Sequence, residues 1–195
     1  MPLLAIENLA VARGGRALLS GINLALEPGD GIHLRGGNGV GKTSLLEVLS
    51  GLRPPLEGAF LSRPESQQLH WIGHKNALNL ALTPLENLAF WCGLNGLSAG
   101  GLVPVLQRLG IDRVRHRACR TLSAGQKRRC ALARLLLVKR QLWLLDEPLD
   151  GLDTEGLALF AQLLNAHLAS QGAAIVTSHQ PLPAGVVGVR EWVLA

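Results

Sequence analysis

One eight-residue run constrains this chain more than any other: Gly36-Gly37-Asn38-Gly39-Val40-Gly41-Lys42-Thr43. It follows a short apolar segment, GIHLR at 31–35, and opens a segment with helical character, GKTSLLEVLSG at 41–51. A glycine-rich loop between a strand and a helix, closed by Gly-Lys-Thr, is the context that marks a P-loop. Glycines let successive backbone N–H groups curl around phosphate oxygens, and the helix N-terminus adds the positive end of its dipole. Lys42 is placed to bridge the β- and γ-phosphates of a nucleotide, and the Thr43 hydroxyl to ligate Mg²⁺. A chance glycine-rich turn would lack the flanking strand and helix.

Around this loop the pattern alternates. Residues 3–10 and 17–26 read as two strands about a turn at Arg13-Gly14-Gly15-Arg16, and 58–62 and 69–73 as further strands. From about 82 to 138 the character is helical. TPLENLAFWCGL has a Thr cap and Pro at the first helical position, and SAGGLVPVLQRLG and SAGQKRRCALARLLLV follow. QLWLLD at 141–146 returns to a buried strand, TEGLALFAQLLNAHLAS is an amphipathic helix, AAIVTS a strand, and 186–194 a last strand. Alternating strands and helices predict an α/β fold. The length of 195 residues, 48% hydrophobic, suits one domain spanning 1–195, with the helical block inserted in it.

Three more segments carry candidate chemistry. In LWLLDEP a buried strand ends in Asp146 and Glu147. Adjacent carboxylates there call for a cation: Asp146 can hold Mg²⁺ through water, and Glu147 can orient an attacking water. Alone, the segment also fits a plain acidic turn. In LSAGQKRR, Ser123 and the N–H groups near Gly125 open a helix, either as a second anion-binding helix start or as an ordinary N-cap. In AAIVTSHQ a strand delivers His179 past its C-terminal end, the edge of an open α/β sheet where ligands bind.

His74, in HWIGHKNALN, admits three readings from its neighbourhood: a core side chain, a metal ligand or a site residue. No second ligand lies near it in sequence. Charge is informative but ambiguous. The formal net charge is +5, and 11 of the 19 basic residues fall within 108–140 against Asp112 alone. Such a cluster fits nucleic acid, anionic lipid or a phosphate-bearing ligand, or a solvated helix face. Three cysteines without close spacing suggest neither a disulfide framework nor a zinc site, in keeping with a reducing compartment. No secretory signal pattern opens the chain, and no window approaches the ~18 apolar residues of a membrane span. A mean hydropathy of +0.24 hints at a buried contact with a partner.

Taken in order, these motifs resemble those of the ATP-binding subunits of ABC transporters. GGNGVGKT resembles their Walker A motif, LSAGQ their signature (commonly LSGGQ), LLDE their Walker B motif, LDGLD at 149–153 the D-loop, and His179 the switch histidine. The resemblance covers essentially the whole chain. It implies a P-loop NTPase core with an N-terminal antiparallel β subdomain and an inserted α-helical subdomain at about 82–138. It also implies an ATPase that closes as a homodimer around two Mg²⁺·ATP. The nucleotide would touch Gly36, Gly37, Asn38, Gly39, Val40, Gly41, Lys42, Thr43 and Ser44. Ser123, Gly125, Gln126 and Asp153 would complete the site from the partner copy. Thr43 and Asp146 would hold the metal, with Glu147 and His179 catalytic.

Two departures matter. Where the family usually carries a glutamine reaching towards Mg²⁺ and the attacking water, this chain has His74. That assigns His74 a catalytic and metal-side role with a ring that offers one acceptor and one donor nitrogen in place of the amide. Where the family often stacks an aromatic ring on adenine, the matching position is Arg13, whose guanidinium plane can stack less selectively, so modest ATP affinity and tolerance of GTP are expected. The segments WIGHKNALNLALTPLENLAF and TSHQPLP are similar to the cytochrome c maturation ATPases of CcmA type. This implies a peripheral location on the cytoplasmic face of the bacterial inner membrane. The implied partners are a CcmB-like integral membrane permease and haem-handling proteins, and not nucleic acid.

The rivals are a soluble ABC ATPase acting on nucleic acid or ribosomes, the subunit of another small ABC exporter, and a non-catalytic module. Against the first, Leu122 follows His74 by only 48 positions, without sustained heptads. A P-loop GTPase would need an NKxD base-reading motif, which is missing.

Overall fold

A computed structural model describes residues 1–194. The N-terminal hairpin pairs β1 (Leu4–Arg13) with β2 (Arg16–Leu26). Gly14 and Gly15 between them both have positive φ, 59° and 78°, which a two-residue turn matched to strand twist requires. β3 (Gly31–Arg35) follows and runs into the glycine loop, and α1 (Lys42–Ser50) emerges from it. α1 stops at Gly51, a left-handed C-cap with φ 82°. β4 (Glu57–Ser62) pairs with β1 and completes a three-stranded antiparallel sheet, order β2-β1-β4.

β5 (Leu69–Ile72) enters the second sheet, and the helical insertion follows: α2 (Pro84–Leu94), α3 (Leu102–Arg108) and α4 (Ala124–Leu137). α2 is capped as its sequence suggests, with the Thr83 hydroxyl accepting from the Glu86 N–H and Glu86 reaching back to the Thr83 N–H. The helix expected over SAGGLVPVLQRLG begins only at Leu102. Ala99–Gly101 form a tight 3-10 turn, because the glycine pair disfavours a helix start there. β6 (Leu142–Leu145), α5 (Thr154–Ala169), β7 (Ala173–Thr177) and β8 (Val189–Val193) finish the chain. The last strand is shorter than the 186–194 expected from sequence.

The five strands β5-β6-β7-β3-β8 are all parallel. β6 and β7 are buried throughout, as strands covered on both faces must be. Their alternation divides the core. Trp143 and Leu145 of β6, with Ala174 and Val176 of β7, face Phe160, Leu164 and the inserted helices. Leu142 and Leu144, with Ala173 and Ile175, face α1 and the N-terminal sheet. The glycine loop leaves the C-terminal end of β3, and Asp146, Glu147, Ser178 and His179 leave the same ends of β6 and β7. Parallel pairing therefore gathers residues over 100 positions apart along one edge.

Three members of the basic cluster have an outcome that composition did not suggest, while Arg108, Arg113, Arg117, Arg120 and Lys139 are exposed as a solvated face would be. Arg128, Arg129 and Arg134 are buried and donate to backbone carbonyls. They are structural, neither a solvated face nor an open anion-binding patch. The three cysteines are free and buried.

Candidate active site

The glycine loop is built for a phosphate group. Gly36, Gly39 and Gly41 have φ of 148°, 78° and 114°, a backbone that other residues adopt only under strain. Gly41 is the N-cap of α1 and carries no side chain to satisfy the first-turn N–H groups. Lys42 is 7% exposed, and its ammonium donates to the Gly36 and Gly37 carbonyls at 2.8 and 3.1 Å. It is held within the loop, at the mouth where phosphate oxygens would arrive.

Facing it, the Thr43 hydroxyl lies 3.1 and 2.9 Å from the two Asp146 carboxylate oxygens. Thr43 and Asp146 border a cavity of about 370 Å³. A hydroxyl and one carboxylate beside room for water and phosphate is a donor set that fits Mg²⁺, which takes hard oxygen ligands and keeps several waters. An imidazole is a poor ligand for that ion, so His74 fits better beside the water than on the metal.

Glu147 follows Asp146 in a left-handed conformation, φ 50°. This is uncommon for a residue with a side chain, and such strain clusters at functional sites. It is held there by its own N–H, which donates to the Thr177 hydroxyl at 2.9 Å, and by its Oε2, which accepts the His179 N–H at 3.1 Å. Burial pushes the Glu147 carboxyl above its ordinary pKa, and the neighbouring His179 partly offsets this. The His179 Nε2 lies 3.4 Å from Glu147 Oε1, with the imidazole itself more than half exposed.

His74 is exposed and so is no core side chain. Its Nδ1 lies 3.6 Å from Asp150 Oδ2, and it borders the same cavity as Lys42, Thr43, Asp146, Glu147 and His179. The Asp146 N–H donates to the Ile72 carbonyl at 2.7 Å, which ties the ends of β5 and β6 and brings His74 to this edge. Arg13, at the hairpin tip, borders the cavity too, as do Asn38, Gly39, Gly41 and Ser44.

The remaining expected residues lie elsewhere. Ser123 is the N-cap of α4, accepting from the Gln126 N–H at 3.2 Å while Gln126 accepts the Ser123 N–H at 3.1 Å. Gly125 packs against the D-loop: a Cβ there would meet the Gly151 carbonyl oxygen at 2.5 Å. Asp153 caps α5 through the Gly156 N–H at 2.9 Å and pairs with Arg129. None of these four borders the cavity of its own chain.

Two contributors escaped the sequence reading. Thr177 bridges Asp146 and Glu147, and its signal was a hydroxyl closing the apolar strand AAIVT. Asp150, the neighbour of His74, lies in the LDGLD segment that resembles the D-loop, where the sequence singled out Asp153 alone.

Comparison with known proteins agrees with this geometry. Residues 19–150 match the family described as ABC transporter. Three similar curated proteins are each named cytochrome c biogenesis ATP-binding export protein CcmA. The one from Rhodobacter capsulatus is 44% identical over 92% of this chain and 82% of its own. That from Cupriavidus necator is 45% identical over 94% and 86%, and that from Hyphomonas neptunium 46% over 91% and 90%. Among solved structures, a putative ABC transporter ATP-binding protein from Pyrococcus furiosus superposes with a TM-score of 0.82 at 23% identity, covering 98% of this chain and 96% of that one. An ATP-binding subunit of an ABC transporter superposes equally well at 24% identity, over 91% and 79%. At those identities the structural match speaks for the fold alone.

Proposed function

The chain belongs to the ABC transporter family, among the CcmA-type ATP-binding proteins; on that premise we propose that it hydrolyses ATP to energise a membrane partner in c-type cytochrome biogenesis. The observation that carries the chemistry is the single cavity bordered by Lys42, Thr43, Asp146, Glu147 and His179.

In this reading two copies close on two nucleotides. Lys42 and the loop N–H groups hold the β- and γ-phosphates. Thr43 and Asp146 hold Mg²⁺, which neutralises phosphate charge when bound. Glu147, with its raised carboxyl pKa, orients and polarises the attacking water, and His179 donates to the phosphoryl group being transferred. His74, which borders the same cavity, approaches the same water. Ser123 and Gly125, outside the cavity of their own chain, complete the γ-phosphate site of the partner copy. Catalysis is then mainly positioning and charge stabilisation in a site assembled by closure.

Among the described residues no helix is long and apolar enough to cross a membrane, so any coupling to transport runs through a partner. The inserted segment offers an apolar face for one: Phe90 and Leu94, one turn apart on α2, are each 66% exposed. In this reading the chain sits peripherally on the cytoplasmic face of the inner membrane, with that apolar face against a CcmB-like permease. Haem is the expected concern of that assembly, either as cargo or through release of a haem-loaded chaperone.

The deciding experiment is to tag Glu147→Gln, hold it with Mg²⁺·ATP, and identify what co-purifies from detergent-solubilised membranes. A small multi-spanning permease with haem-handling proteins is the expected result. A different permease would keep the ATPase and discard the cytochrome assignment. Ribosomes or DNA without a membrane protein would overturn the transporter reading.

A further inference from the structure

The loop that carries His74 is not held by its own strand. β5 ends at Ile72, and the carbonyls of Gly73, His74 and Asn76 point away from the sheet ladder. Two guanidinium groups from α4 take them up. Arg128 donates from Nη1 to the Gly73 carbonyl at 3.1 Å and from Nη2 to the His74 carbonyl at 3.0 Å. Arg134, farther along the same helix, donates to the Asn76 carbonyl at 2.8 Å.

Arg128 is 3% exposed, and no carboxylate among the described residues lies within ion-pair distance of it. Burying a guanidinium is costly, so its fork must be committed to groups that answer it. Here those groups are two consecutive carbonyls whose residues decide where the imidazole of His74 stands. A fork engaging both fixes the orientation of the peptide unit, which a single point donor does not.

We propose that Arg128 is the positioning residue for His74. Through it, the helix that starts at Ser123 and the loop that borders the nucleotide cavity form one mechanical unit. A displacement of α4 at its signature end is then passed to the part of the same chain's cavity that His74 lines. This rests on the reading of His74 as a residue of the ATPase site.

The test uses the complex that the tagged full chain forms in its membrane, with ATP turnover measured for five variants. These are His74→Ala, Arg128→Lys, the two combined, Phe160→Leu as a core change away from the loop, and Phe160→Leu combined with His74→Ala. Arg128→Lys retains the charge but not the fork. It is expected to lower kcat roughly tenfold, as loss of an outer-shell partner does, with the KM for ATP little changed because Lys42 and its loop are untouched. In the His74→Ala background the same substitution is expected to add nothing, since interacting residues are non-additive. Amide exchange across 73–77 should rise in Arg128→Lys while exchange in β3 stays as in the parent. Phe160→Leu should combine multiplicatively with His74→Ala.

If the Arg128 and His74 losses multiply, or exchange across 73–77 is unchanged, the positioning role is overturned and the site reading of His74 stands. If His74→Ala turns over ATP like the parent, the site reading of His74 fails and takes the proposal with it.

Discussion

The Thr177 hydroxyl donates to Asp146 Oδ1 over 2.8 Å at the buried ends of adjacent strands. The Thr177 hydroxyl oxygen also accepts the Glu147 N–H, so one hydroxyl orients the candidate metal carboxylate and pins the strained backbone of the candidate base. Thr177→Val keeps the shape and removes both bonds. Leaving a buried N–H unsatisfied costs about 1–3 kcal/mol, so denaturant titration should show a loss of that size, with turnover reduced. Thr177→Ser should recover most of both. A valine variant as stable and active as the parent would deny the bridge any importance.

Glu147→Gln keeps the size of the side chain and removes its basicity. We expect turnover to fall roughly a hundredfold or more while ATP still binds, because Lys42 and Thr43 are unaffected. Phosphate release measured beside nucleotide-dependent dimerisation in size-exclusion chromatography separates the two effects. Loss of ATP binding along with turnover would make Glu147 structural.

Gly125→Ala has a sign that helix propensity alone predicts wrongly. Within a helix the change should stabilise by about 1 kcal/mol. Here the new Cβ would stand 2.5 Å from the Gly151 carbonyl oxygen, a backbone atom that can yield only if the D-loop moves. Overpacking of this kind costs about 1–3 kcal/mol. The variant should therefore unfold at lower denaturant and hydrolyse ATP more slowly; a raised midpoint would mean that the D-loop gives way easily.

Arg13 borders the cavity from the hairpin tip. If its guanidinium stacks on the base, Arg13→Ala should raise the KM roughly two- to fivefold, the scale of one exposed stacking contact. The loss should be similar for ATP and GTP, since a plane stacks on either purine. Titration of turnover against each nucleotide measures this, and an unchanged KM for both would reject a base contact.

Stability should fall on mild acidification. Burial lowers the pKa of His70 from 6.5 to about 3, and burial also lowers those of His33 and His167. These groups stay neutral in the folded chain while the unfolded chain binds protons as pH drops below 6.5. Unfolding then takes up protons, and stability declines by about 1.4 kcal/mol per pH unit for each such proton. The loss begins near pH 6.5 and continues towards the folded values. It precedes the contribution of carboxylates with lowered pKa, such as Asp153, which is lost only at lower pH. Denaturant titrations at pH 7.5, 6.5 and 5.5 should show a progressive fall, shallower in His70→Phe. Equal stability at all three would contradict the neutral burial of these histidines.

Much of this protein was legible along the chain because its information is local. The glycine loop, the LLDE strand end and the capped helices each need only their own neighbours to be read, since φ/ψ preference, capping and periodicity act over a few residues. Parallel pairing also follows from the alternation of strand and helix. Tertiary structure decided what depends on contacts between distant segments. It placed His74 beside the candidate catalytic carboxylates, through the bond between the Asp146 N–H and the Ile72 carbonyl. It made Thr177 the bridge between Asp146 and Glu147. It turned Arg128, Arg129 and Arg134 from surface charge into buried clamps on loop carbonyls. An arginine reads the same in sequence whether water or a carbonyl answers its guanidinium, and only the packing of α4 against β5 and its loop chooses between them.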